Sequence, residues 1–246
     1  MKQAVILAGG LGTRMLPRTE RVPKLLLPVA GRPFAAWLLA RLAAAGFDEA
    51  LLCIAHLGEM IRAEVGDGRA HGIAVRYADE GPALLGTASA LRRALPALAP
   101  AFLVTYGDFF LPFDYAAPLA DLALHAGAQG TMAVFKNDDR WDRSNTQIEG
   151  EAVLRYEKRA RDAAPDPALD HIDYGALAFR KVALEPWRHE PKWDLAVAQT
   201  ALAATGRMRA VVAAERFYEI GSPEGLQSLT YHLAARTDLR SRKPLA

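Results

Sequence analysis

The sequence predicts an α/β chain: an open, mostly parallel sheet with helices on both faces, followed by a smaller mixed α/β lobe. Three observations carry this. Short, continuously apolar runs at residues 2–8, 50–55, 101–105 and 131–135 suit strands buried on both faces. Between them lie alanine- and leucine-rich segments of helical length, and strict strand–helix alternation favours parallel pairing. The first run empties into Gly9-Gly10-Leu11-Gly12 and the fourth strand ends in Gly107-Asp108. Ligands of open parallel sheets bind beyond the carboxyl ends of the strands, where both motifs fall.

In order, residues 2–8 form the first strand, and Pro33 opens a helix over 34–45 that Gly46 stops. Residues 50–55 are the second strand, 57–65 a helix closed by Gly66-Asp67-Gly68, and 73–78 the third strand. Thr87 caps a helix over 88–95 that Pro96 ends, and 101–105 is the fourth strand. Residues 116–126 read as helix and 131–135 as strand, completing a Rossmann-like part over 1–136. From about Asn137 the rhythm changes. Residues 146–148 and 152–154 flank Glu149-Gly150-Glu151 as a hairpin, and 172–179 is a strong strand. A helix over 194–204 ends at Gly206, 209–213 and 217–220 are short strands, and a closing helix starts at Pro223. Residues 159–170 lack apolar pattern and read as a flexible loop. The expected organisation is one domain over 1–246, with 1–136, 137–222 and 223–246 as its parts.

Composition narrows the class. An apolar fraction of 51% supplies a full core, and a formal charge of +2 argues against a surface that coats nucleic acid. Four basic residues near the carboxyl end read as a solvated terminus. Cys53, the single cysteine, excludes an intrachain disulfide and sits in an apolar run where a small buried side chain is expected. The six histidines show no zinc-ligand spacing. No signal peptide and no membrane-spanning run is present, so a cytoplasmic protein without membrane partners is expected.

The chemistry starts in the glycine loop. Glycines allow the backbone to approach oxyanions, and successive N–H groups form an anion-binding concavity. Arg14 adds a permanent charge with fork geometry, and Lys24, after Pro23, adds a second. A Walker loop would need Gly-Lys-Ser/Thr, and a dinucleotide loop would need glycine where Met15 stands. The segment from Leu7 to Met15, with Pro17 and Pro23-Lys24, resembles the signature of sugar-1-phosphate nucleotidyltransferases. The likeness continues through Leu85-Gly86-Thr87-Ala88, Gly107-Asp108, Glu157-Lys158, Asp173-Tyr174-Gly175 and Glu219-Ile220-Gly221-Ser222-Pro223, in the family's order.

The resemblance implies that a sugar 1-phosphate attacks the α-phosphorus of a nucleoside triphosphate and expels pyrophosphate. It makes Leu7, Ala8, Gly9, Gly10, Gly12 and Thr13 the nucleotide loop, with Glu80, Gly86 and Thr87 near the base. Arg14, Lys24 and Asp108 are the implied catalytic residues: Arg14 for the leaving pyrophosphate, Lys24 for the attacking and α-phosphates. Gly107, Glu157, Lys158, Asp173 and Gly175 are implied for the sugar phosphate, Asp173 standing where the family often has asparagine. Mg²⁺ is the implied cofactor, held by Asp108 and by Glu219, where aspartate is usual. Phe109, Phe110, Trp141 and Trp187 are candidate walls of the sugar pocket.

The short pattern is similar to guanylyltransferases for mannose or heptose 1-phosphate. Uridylyltransferases, including those for N-acetylmuramate 1-phosphate, share much of it. The expected partners are a nucleoside triphosphate and a sugar 1-phosphate, with a homo-oligomer left open. A glycosyltransferase would normally show Asp-x-Asp, whereas Asp108 is followed by two phenylalanines. A silent nucleotide-sugar sensor would have lost a charge, and a cytidylyltransferase for an alcohol phosphate would lack the Glu-Lys pair and the Asp-Tyr-Gly strand. No hexapeptide repeat is seen.

Overall fold

The computed structural model describes residues 1–79, 87–187, 189 and 194–241. The elements are β1 (Gln3–Leu7), β2 (Pro28–Val29), β3 (Arg32–Pro33), α1 (Phe34–Ala44), β4 (Glu49–Ile54), α2 (Gly58–Val65) and β5 (Ala74–Asp79). Then come α3 (Thr87–Ala94), β6 (Ala101–Tyr106), β7 (Phe109–Phe110), α4 (Ala117–Leu124), β8 (Gly130–Lys136), β9 (Thr146–Glu149) and β10 (Ala152–Tyr156). The chain continues with β11 (His171–Arg180), α5 (Leu195–Ala204), β12 (Met208–Ala213), β13 (Tyr218–Glu219) and α6 (Pro223–Ser241).

Nine strands form one sheet in the order β5-β4-β1-β6-β11-β8-β12-β10-β9. The first four are mutually parallel, as the apolar runs predict. All five residues of β1 are buried, and they alternate between two cores. Ala4 and Ile6 join the face covered by α1, α2 and α6, whereas Val5 and Leu7 join the face covered by α3 and α5. Helices therefore cover both faces of an α/β sheet, in agreement with the expected fold class. The termini of α1 follow the predicted signals: Pro33 precedes it, and Gly46 follows at φ 76°. Asp194 caps α5 by accepting the Ala196 N–H.

Three features were not legible in the pattern. β11 runs antiparallel between β6 and β8, so the second half extends the main sheet instead of building its own. The expected strand at 217–220 shortens to β13, which pairs with β7 directly after Asp108. β2 and β3 form a small hairpin ahead of α1. The predicted 146–154 hairpin is present as β9 and β10, with Gly150 at φ 57° in the turn. Residues 159–170 are irregular, as expected, but fastened. Asp166 accepts a hydrogen bond from Arg155 at 2.9 Å, and the Arg161 carbonyl accepts one from Arg143.

Candidate active site

Two cavities open beyond the carboxyl ends of β1 and β6, and they share Tyr106 and Phe109 as a common wall. The first, of about 570 Å³, is walled by residues 7–13 and 106–109 with Lys24 and Leu25. Its floor exists because Gly107 lets the β1 and β6 ends converge: a Cβ there would stand 3.0 Å from the Leu7 carbonyl oxygen and 3.1 Å from the Ala8 methyl. Among the described residues, the N–H groups of Gly9, Gly10, Leu11 and Gly12 find no acceptor. Unpaired N–H groups facing a cavity are the anion-binding arrangement that the glycine pattern predicts. Gly10 faces open space, whereas Gly12 is held at φ 67° with the Lys24 and Thr19 side chains pressed against it. That contact aims Lys24. Its Nζ lies 2.6 Å from Asp108 Oδ2, and both side chains are largely shielded from solvent.

The second cavity, of about 530 Å³, has Arg14, Glu219, Asp173 and Tyr156 among its lining residues. Arg14 thus lines this cavity and not the glycine-loop one. Gly221 explains its placement. A Cβ at that position would stand 2.8 Å from both Arg14 Nη2 and Glu219 Oε2, so the two charged groups converge on the space glycine leaves free. Glu219 accepts from the Gly221 N–H and the Ser222 hydroxyl, seating its carboxylate at the start of α6. It is also a β-bridge partner of Phe109, the residue after Asp108, and the Ile220 N–H donates to the Asp108 carbonyl at 2.9 Å. The first and last motifs of the chain therefore meet around Asp108.

β11 supplies the back wall. Four steps from Asp173 to Leu177 match only two along β8, from Val134 to Met132, and Gly175 takes φ 91° inside this bulge. The bulge turns the Gly175 N–H back to Asp173 Oδ1 at 2.9 Å, while Gln199 Nε2 donates to Oδ2 at 2.9 Å. Burial pushes the Asp173 carboxyl above the usual range, against the hydrogen bonds from Gln199, the Gly175 N–H and Tyr106. Burial, reinforced by Asp173, also pushes the Tyr106 phenol well above its ordinary value.

Several expectations are redrawn here. Gly175 does not open its backbone to the cavity. Its missing side chain admits the Phe109 and Tyr106 rings, which would stand 2.8 and 3.2 Å from a Cβ. Glu157 and Lys158 line neither cavity. Glu157 pairs with Arg155 two residues back, and Lys158 pairs with Asp194, the cap of α5. Their neighbours Tyr156 and Arg159 face the second cavity instead. Trp141 does line that cavity, but Phe110 is buried in one core layer and Trp187 packs on the other. Glu80 and Gly86 lie outside the described residues, and Thr87 is described only as the first residue of α3. The sequence reading missed four arginines of the second cavity, at 143, 159, 161 and 216. They are scattered over three loops, and no fixed spacing marks them.

One further acidic group, Asp121, His125 and Glu151, has ligand atoms within 4.8 Å of one another. Arg209 already occupies it, with Nε 2.9 Å from Asp121 and Nη2 2.5 Å from Glu151. Burial would raise the Asp121 carboxyl, but hydrogen bonds from Arg209 and Thr131 outweigh it and hold the group below the usual carboxylate range. This cluster sits level with Thr131, opposite Ala178 and hence Leu103, away from the Asp108 end of β6.

A family model described as nucleotidyl transferase matches residues 3–145, more than half of the chain and the whole of the first cavity. The chain belongs to the nucleotidyl transferase family. It is 44% identical over 116 residues to an N-acetylmuramate alpha-1-phosphate uridylyltransferase of Neisseria meningitidis, covering 47% of this chain and 50% of that one. It is 33% identical over 186 residues to a mannose-1-phosphate guanylyltransferase of Mycobacterium tuberculosis, covering 74% and 50%. The chain thus spans about half the length of these curated relatives. The fold matches HddC from Yersinia pseudotuberculosis with a TM-score of 0.78 at 22% identity, over 95% of this chain and 100% of that one. No helix among the described residues is long and apolar enough to cross a membrane.

Proposed function

We propose that this nucleotidyl transferase moves a nucleotidyl group from a nucleoside triphosphate to a sugar 1-phosphate and releases pyrophosphate. The observation that carries the reading is the shared wall. A cavity lined by unpaired loop N–H groups abuts one rich in arginine, with Lys24, Asp108 and Arg14 around the junction. The nucleophile is a phosphate oxygen that is already anionic, so no Ser-His-Asp relay is required. The barrier lies in bringing two anions together, and positioned cations lower it. The N–H groups of residues 9–12 hold the triphosphate, Lys24 offsets the repulsion between the attacking phosphate and the α-phosphate, and Arg14 receives the pyrophosphate charge as it leaves.

Divalent metal fits this donor set. Asp108 and Glu219 offer hard oxygen ligands beside one β-bridge, as Mg²⁺ requires. When bound, Mg²⁺ neutralises phosphate charge between the two substrates. Asp108 is held by Lys24 and Glu219 by the start of α6, so each is positioned before any ligand arrives.

Relatives include enzymes named for both UTP- and GTP-type transfer. The short pattern supports GTP with mannose or heptose 1-phosphate, and the alternative is UTP with N-acetylmuramate 1-phosphate. A soluble cytoplasmic protein fits either pairing, and a non-catalytic nucleotide-sugar binder is the remoter reading. The reading is tested by incubating the protein with each of five nucleoside triphosphates and a set of sugar 1-phosphates in Mg²⁺, then identifying the product by mass. A nucleotide-sugar formed with equimolar pyrophosphate is expected. Tight nucleotide-sugar binding with no product would instead favour the sensor.

A further inference from the structure

Among the residues lining the second cavity, Asn145 is tied to the starts of β9 and β11 and to the end of β10. Its backbone N–H donates to the His171 carbonyl at 2.9 Å, and its own carbonyl accepts the Glu157 N–H at 2.9 Å. Its side-chain Oδ1 accepts from the Asp173 N–H at 2.8 Å and from the Thr146 hydroxyl at 2.9 Å. A backbone N–H can only donate, so the atom facing it is the amide oxygen, and the orientation of the amide is fixed. Both acceptor sites of Oδ1 are then used, whereas Nδ2 meets no acceptor among the described residues. The nearest carboxyl is committed too. Asp173 takes the Gly175 N–H on Oδ1 and Gln199 Nε2 on Oδ2, with Tyr106 bonded to the same group. Asn145 therefore divides its side chain, with the oxygen holding β11 and the NH₂ left for the cavity. A neutral amide brings no charge to offset a phosphate, and the Asp173 carboxyl beside it brings no positive charge either. A hydroxyl oxygen needs only the hydrogen bond.

We infer that Asn145 is a specificity-determining residue of the acceptor site, its Nδ2 donating to one hydroxyl oxygen of the sugar. This rests on the transferase reading above.

The test is a cycle between this side chain and the hydroxyls of the acceptor. Asn145→Asp keeps an oxygen for the Asp173 N–H and replaces the donor with an acceptor. The probes are mannose 1-phosphate and its monodeoxy forms, or the matching set for the sugar that the substrate screen returns. In the wild-type protein, loss of one particular hydroxyl should lower kcat/KM by about tenfold or more, the effect of one lost hydrogen bond in a closed site. In Asn145→Asp, loss of that same hydroxyl should cost nothing further, with KM for the nucleotide unchanged. Each ratio is taken within one protein, so the added charge, which acts on every sugar phosphate, cancels. Equal deoxy penalties in the two proteins would overturn the inference, and a merely structural role for Asn145 would give that result. A wild-type protein indifferent to every single hydroxyl would overturn it without any variant. A raised KM for the nucleotide with the sugar penalties intact would place Asn145 on the triphosphate and overturn it as well. All three results leave the transferase reading standing, because pyrophosphate is still released. Absence of turnover with every sugar phosphate would sink that reading, and this inference with it.

Discussion

Gly221→Ala separates the placement of Arg14 from the stability of the fold. A Cβ at 221 would lie 2.8 Å from Arg14 Nη2 and from Glu219 Oε2, where ordinary contact begins at 3.4 Å. Moving each group from 2.8 Å out to ordinary contact at 3.4 Å is a retreat of about 0.6 Å. Arg14 is exposed and its guanidinium ends a flexible side chain, so its retreat costs the fold little. Glu219 would lose hold of the start of α6, a loss of about 1 kcal/mol by analogy with helix caps. For a domain of this size that lowers Tm by about 2–4 °C. Catalysis is more sensitive, because a displacement near 1 Å in a positioned group can cost about 100-fold. The variant should stay folded in a thermal melt while kcat for pyrophosphate release falls by about tenfold or more. An unchanged kcat would refute the claim that Arg14 works from the position Gly221 gives it.

Four other outcomes follow from the same contacts. Asp108→Asn removes both the Lys24 partner and the hard oxygen ligand, so kcat/KM should fall by about 100-fold or more and lose its Mg²⁺ dependence, checked by metal titration. Gly12→Ala forces a Cβ into φ 67° and against Lys24, costing about 1–2 kcal/mol in urea unfolding and lowering turnover together. Arg209→Gln uncovers Asp121 and Glu151 and should cost about 1–3 kcal/mol with KM for both substrates unchanged, because that cluster lies away from the cavities. The depressed Asp121 carboxyl stabilises the fold above its unfolded value and loses that contribution as pH falls through the folded value, so the variant should lose less stability on acidification. Asp173 has the opposite sign. Its raised carboxyl binds a proton longer in the folded state, so stability falls as pH rises from the ordinary 3.8 through the folded value; Asp173→Asn should flatten that slope in pH-dependent melts.

The first cavity was legible because its parts follow one another along the chain. β1, the glycine loop, Lys24 and Gly107-Asp108 each carry a local signal of buried run, special backbone or loop charge. The second cavity was less legible, for two physical reasons. β11 enters the sheet against the parallel rhythm, and its bulge at Gly175 reverses the sense of that glycine from ligand contact to ring packing. In β10 the pairing with β9 slips between Val153 and Arg155, which changes which residues share a face beyond it. Arg155 and Glu157 then pair along one side, and Tyr156 and Arg159 turn inward. Residue type alone could not distinguish Lys158 from Arg159.

Attack at the α-phosphorus is tested most directly by where label goes. With α-³²P and γ-³²P nucleotide supplied in parallel with an accepted sugar 1-phosphate, the α-label should enter the nucleotide-sugar and the γ-label should leave wholly in pyrophosphate. Transfer of γ-label to the sugar phosphate, or its release as inorganic phosphate independent of sugar, would contradict the geometry assigned to Lys24, Asp108 and Arg14.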